Sequence, residues 1–133
     1  MNTREFKQYV RDIQKYRDTA EALSDDSAGA LLQKVTLLTK ALTLIGRVSA
    51  WLNGEYKRAE AKRKNTFTLV KAKTPKGDKV SAAELAIIPL REAEAKAYER
   101  MHLWRNEFDS LKEHIHELRL RLRVDMHIGD GDG

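Results

Sequence analysis

The chain has 133 residues, 25 lysines and arginines against 20 aspartates and glutamates, a formal net charge of +5 and no cysteine. That length suggests one domain, and the missing thiols exclude disulfides and thiolate metal sites. With 41% hydrophobic and 34% charged residues, the composition suits long helices that each bury one stripe and associate.

Residues Met1 to Tyr9 hold no apolar run of the signal-peptide kind. No window approaches the roughly 18 apolar residues of a membrane span. The expectation is therefore a cytoplasmic chain without a membrane partner (host-cell cytoplasm if phage-encoded).

The first segment places Phe6, Tyr9 or Val10, Ile13, Tyr16 or Arg17, and Ala20 at helical spacing, which predicts a helix over residues 3–23. The run Ser24-Asp25-Asp26-Ser27 ends it, because these side chains bond nearby backbone N–H groups and favour caps and turns. A second helix is predicted over 28–72. Its seam runs through Leu31, Val35, Leu38, Leu42, Ile45, Ser49, Leu52, Tyr56 and Ala59 in alternating steps of four and three. Gly46 and Gly54 are candidate bends, since each costs about 1 kcal/mol against alanine inside a helix. Phe67-Thr68-Leu69-Val70 also carries strand character.

Thr74-Pro75-Lys76-Gly77-Asp78-Lys79 is the clearest loop. Ser81-Ala82-Ala83-Glu84 reads as a capping box opening a third helix over 82–126. Pro89 predicts a kink or the end of a short helix, for want of an N–H. Ala97, Met101, Trp104, Phe108, Leu111, Ile115, Leu118 and Leu122 then hold the four-three step without a miss. The Gly/Asp tail, residues 129–133, predicts disorder. The expected fold is all-α, a single domain over 1–128: a long antiparallel helical hairpin with an N-terminal helix. It would self-associate through Met101, Trp104, Phe108, Leu111, Ile115, Leu118 and Leu122 as a homo-oligomer.

Between Lys57 and Lys79 lie nine basic residues (Lys57, Arg58, Lys62, Arg63, Lys64, Lys71, Lys73, Lys76 and Lys79) and two acidic ones, Glu60 and Asp78. Such concentration raises the local potential and draws a polyanion to one place. One reading is a solvated helix face with i,i+4 partners. The other is a phosphate-contact surface without base-specific readout, for which the acids are too few to pair every cation. Tyr56 and Phe67 flank the run as core residues or as stacking platforms for bases. Arg119, Arg121 and Arg123 suit the C-terminal end of a helix or a secondary anion contact. His102, His114, His116 and His127 show no ligand spacing, so no metal is expected. No phosphate-cradling glycine loop or nucleophile arrangement is visible, and neither an enzyme nor a cofactor is expected.

The order of these features resembles the UvsY-type recombination mediators of tailed phages. In that family a Trp-Leu-Asn segment precedes a basic helix with a Lys-Ala-Arg element. Here Trp51-Leu52-Asn53 stands for the first and Lys71-Ala72-Lys73 for the second, with lysine in place of arginine and a spacing that differs by a few residues. The resemblance spans roughly Leu31 to Met126. It implies an oligomeric, non-enzymatic single-stranded-DNA binder that helps load a RecA-like recombinase onto DNA covered by a single-strand-binding protein, with Lys71 and Lys73 as DNA contacts. Two other classes stand beside it: a phage-encoded inhibitor or adaptor acting on a host nuclease or defence system, and a structural, chaperone-like coiled coil.

Overall fold

A computed structural model describes residues 1–131, with side chains described through Met126. Among the described residues the chain is all-α, comprising α1 (Thr3–Glu21), α2 (Ala28–Lys73), α3 (Lys79–Ala86) and α4 (Ile88–Gly131). It divides into two compact units, Met1–Ser49 with Trp104–Gly133 as unit 1 and Ala50–Leu103 as unit 2; α2 and α4 contribute to both. The helix expected over residues 82–126 gives two helices. The tail expected to lack order is helical through Gly131, while residues 132–133 lie outside the described residues.

Unit 1 is built by α1, the first part of α2 and the last part of α4. Asn2 starts α1 by accepting a hydrogen bond from the backbone N–H of Glu5 at 2.9 Å, which satisfies a donor that the first turn leaves open. Ile13 and Ala20, two turns apart, are the buried positions of α1. Leu31, Val35, Leu38, Ala41, Ile45 and Val48 of α2 and Leu111, Ile115, Leu118 and Leu122 of α4 are also buried and complete the core of this unit. Contacts set the directions. Phe6 meets Trp104 edge-on at 5.9 Å, and Asp25, just past α1, reaches Arg121 at 3.3 Å, so α1 and α4 run the same way. Lys40 over the Tyr16 ring and Lys34 on Asp25 place α2 against α1.

The buried face of α2 departs from the predicted seam. Ala41 and Val48 are fully buried, whereas Leu42 and Ser49 are half-buried. An ideal helix drifts about 20° per heptad from a strict seven-residue repeat, and a helix packed between two others buries a broader face than a two-helix seam. Gly46 belongs to this packing: the Phe108 ring lies 3.2 Å from the position a Cβ would take. The helix runs unbroken through both Gly46 and Gly54.

The α4 stripe expected to join copies of the chain is spent inside one chain. Met101, Leu111, Ile115, Leu118 and Leu122 are at most 9% exposed, and Trp104 and Phe108 are half-buried. The stripe's members from Leu111 to Leu122 are core in unit 1, beside the buried residues of α1 and α2, and Met101 is core in unit 2. Contrary to the sequence-based expectation, α2 also holds a segment long and apolar enough to cross a membrane by length and composition, with mean hydropathy 1.3. Of that segment 28% is buried, and Leu31, Val35, Leu38, Ile45 and Val48 of α2 belong to the core of unit 1.

Unit 2 joins the rest of α2 to α3 and the start of α4. Its buried side chains are Leu52, Ala83, Ile87, Ala97 and Met101, a thinner core than the twelve buried apolar residues of unit 1. Phe67 to Val70 are helical. Gly77 turns the chain with φ of 87°, in the left-handed region that costs other residues roughly 1–2 kcal/mol. The predicted capping box is displaced. Asp78 caps α3, accepting from the Ser81 backbone N–H at 3.0 Å and the Ser81 hydroxyl at 2.6 Å, so the helix starts at Lys79. Glu84 instead pairs with Arg91 at 2.6 Å. Pro89 marks the junction: α3 ends at Ala86, and Pro89 sits in the first turn of α4, where an N–H would have no helical acceptor.

Candidate nucleic-acid interface

The two units differ in charge. Unit 2 carries twelve basic and seven acidic residues, and unit 1 carries thirteen of each. The whole excess of +5 therefore belongs to unit 2.

The nine predicted contact residues fall into two groups. Three are neutralised by carboxylates. Arg58 pairs with Glu55 at 2.6 Å and Lys64 with Glu60 at 3.1 Å, both within α2. Arg63 reaches across to α4 and holds Glu94 through two hydrogen bonds, with both side chains largely covered. Glu94 raises the Arg63 pKa further by this hydrogen bonding, with burial opposing it, and the side chain clamps two helices together. The other six, Lys57, Lys62, Lys71, Lys73, Lys76 and Lys79, are exposed and form no ion pair among the described residues.

Helix geometry sorts the six. At about 100° per residue, Lys57 and Lys71 lie on one flank of α2, with paired Lys64 between them. Lys62 and Lys73 lie on the opposite flank, with paired Arg58. Four of the six follow one another in sequence where the chain reverses. Lys71 and Lys73 occupy the last turn of α2, Lys76 sits in the following loop, and Lys79 is the first residue of α3. Asp78, the acidic residue of that turn, is engaged in capping, and its hydrogen bonds from Ser81 hold its carboxyl below the usual 3.8. This turn is the densest run of unpaired cations in the unit. Part of it also answers the partial negative charge at the C-terminal end of α2.

Tyr56 and Phe67, the predicted stacking candidates, are both half-buried. Tyr56 packs on Tyr98 with ring centroids 5.3 Å apart. Its hydroxyl lies near enough to Glu60 to lower the Glu60 pKa, after the larger effect of Lys64, and its own pKa is raised above the usual 10.0. Sequence reading missed Tyr98, which is 47% exposed. Its spacing on α4 gives no signal, because it stands one position beyond the buried Ala97. Of the resembling motif, Leu52 is buried and Trp51 half-buried, while Lys71, Ala72 and Lys73 are exposed. Arg121 is taken by Asp25. Compared with protein families, with characterised proteins and with solved structures, the chain matches none.

Proposed function

We propose that this protein binds the sugar–phosphate backbone of single-stranded DNA through unit 2, without catalysis, and serves as a recombination mediator. The carrying observation is the charge partition: one unit neutral, the other +5, with four unpaired lysines gathered at the α2–α3 turn. Neutralising phosphates with such side chains releases condensed counterions and drives association. The mediator role, loading a RecA-like recombinase onto strands held by a single-strand-binding protein, is supported by the Trp51-Leu52-Asn53 and Lys71-Ala72-Lys73 resemblance. Self-association would add avidity to weak contacts, through a surface other than the α4 stripe.

The test is anisotropy of a labelled oligonucleotide across a salt series. Replacing Lys71, Lys73, Lys76 and Lys79 together by alanine lowers affinity and reduces the log–log salt slope by about 3, at roughly 0.7 per phosphate for single strands. Affinity indifferent to salt, or to the fourfold replacement, sinks the assignment.

A second reading, docking on an acidic partner such as a host nuclease, is favoured by the exposed Leu69, Val80, Leu85 and Ile88 of the same unit. For it, Leu85→Ser with Ile88→Ser abolishes inhibition of the nuclease while oligonucleotide binding is unchanged.

A further inference from the structure

Beside the lysines, unit 2 contains a groove of about 570 Å3, lined among others by Tyr56, Arg63, Arg91, Glu94, Tyr98 and Glu99. Its lining holds two guanidinium groups and two carboxylates, and neither guanidinium is free. Arg63 is bound by Glu94 and Arg91 by Glu84. A phosphate therefore gains little there, and the unpaired lysines outside are the better phosphate partners. The groove suits an uncharged, planar heterocycle that both donates and accepts hydrogen bonds.

Its aromatic side is a short ladder of rings. Tyr56 and Tyr98 lie 5.3 Å apart, tilted by 58°, and His102 meets Tyr98 edge-on at 4.2 Å. The Lys57 ammonium lies over the Tyr56 ring, 5.8 Å from its centroid. Tyr98 is braced by both neighbours yet 47% exposed, so ring surface remains open to solvent. An aromatic ring held by its neighbours loses little freedom when a base stacks on it, and such stacking tolerates any base.

We infer that this groove seats one unpaired nucleobase against Tyr98, with Lys57 beside Tyr56 and the other exposed lysines of unit 2 holding phosphates further along the strand. This deepens the proposed function and rests on it. The inference supplies what phosphate contacts alone lack, a preference for single strands, because duplex bases already have both faces stacked and their pairing edges occupied.

The full chain is titrated by anisotropy against an oligothymidylate, an abasic phosphodiester oligomer of equal length and a matched duplex. The wild type prefers the oligothymidylate. Tyr98→Ala weakens its binding by about 5- to 150-fold, leaving the abasic affinity and the salt slope unchanged, and Tyr98→Phe restores it. Tyr98→Leu, which keeps apolar bulk on the helix, behaves as Tyr98→Ala if the ring face is what matters; circular dichroism and melting confirm that the variants are folded. Equal affinity of the wild type for oligothymidylate and abasic oligomer, or wild-type binding by Tyr98→Ala or Tyr98→Leu, overturns the base seat and leaves the lysine surface standing. Failure of the wild type to bind any of the three probes at low salt overturns both.

Discussion

At the scale of single residues, close approach and charge placement explain positions that look ordinary in isolation. Gly46 is such a position: within a long helix it is unfavourable by about 1 kcal/mol, yet the Phe108 ring occupies the space a side chain would need. Gly46→Leu is expected to destabilise the protein by about 1–3 kcal/mol through overpacking. Phe108→Ala in the same chain should recover part of that loss; additive effects in a denaturant-unfolding cycle would contradict the contact. Asp25 is the second case. The hydrogen bond from Lys34 is the largest influence on it, and Arg121 and His114 add positive potential, so its pKa lies below the usual 3.8 despite some burial. A depressed folded-state pKa contributes stability above the unfolded value and loses it as pH falls through the folded one. Melting temperature should therefore fall as pH drops below about 4. Asp25→Asn should lower it at neutral pH and weaken that acid dependence; an unaltered acid profile would contradict the assignment.

At the scale of elements, each long helix has one buried face and one task per unit. The α4 stripe is core, so truncating it should act on folding and not on assembly. Leu118, 2% exposed, is the cleanest test: Leu118→Ala should cost about 2–5 kcal/mol. The loss should be the same at low and high protein concentration. A stripe that joined copies would make the penalty concentration-dependent, because mass action links assembly to stability. The short α3 arises from two local signals, the Asp78 cap and the Pro89 junction, which place the lysine-bearing turn at its start.

At the scale of the molecule, the charge excess lies in one unit, and within that unit the cations themselves divide into paired and unpaired. Arg63 is engaged with Glu94 across two helices, whereas Lys73 is exposed and unpaired. Arg63→Ala should lower the melting temperature with a small effect on oligonucleotide affinity. Lys73→Ala should weaken affinity and lower the salt slope by about 0.7 with melting unchanged. The reverse pattern would show that the sequence run, and not its unpaired members, is the functional unit.

Much of the fold was legible from local chemistry. Apolar spacing marks α1, α2 and α4 because a helix must bury one side, and Ser24 to Ser27 breaks the chain because its side chains compete for backbone N–H groups. The Lys57–Lys79 run was visible as charge alone. Tertiary structure decided the rest. Ser81 reads as a cap, but Asp78, three residues earlier, takes that role. The predicted Leu42 and Ser49 seam positions give way to Ala41 and Val48, which depends on how many helices surround α2. The α4 stripe looks the same in sequence whether its cover comes from the same chain or another copy. Arg63 and Glu94 are 31 residues apart, and Tyr56 meets Tyr98 only when α2 and α4 lie side by side. Periodicity and capping act over a few residues, so sequence carries them directly, whereas pairing and burial depend on which distant side chains folding brings together.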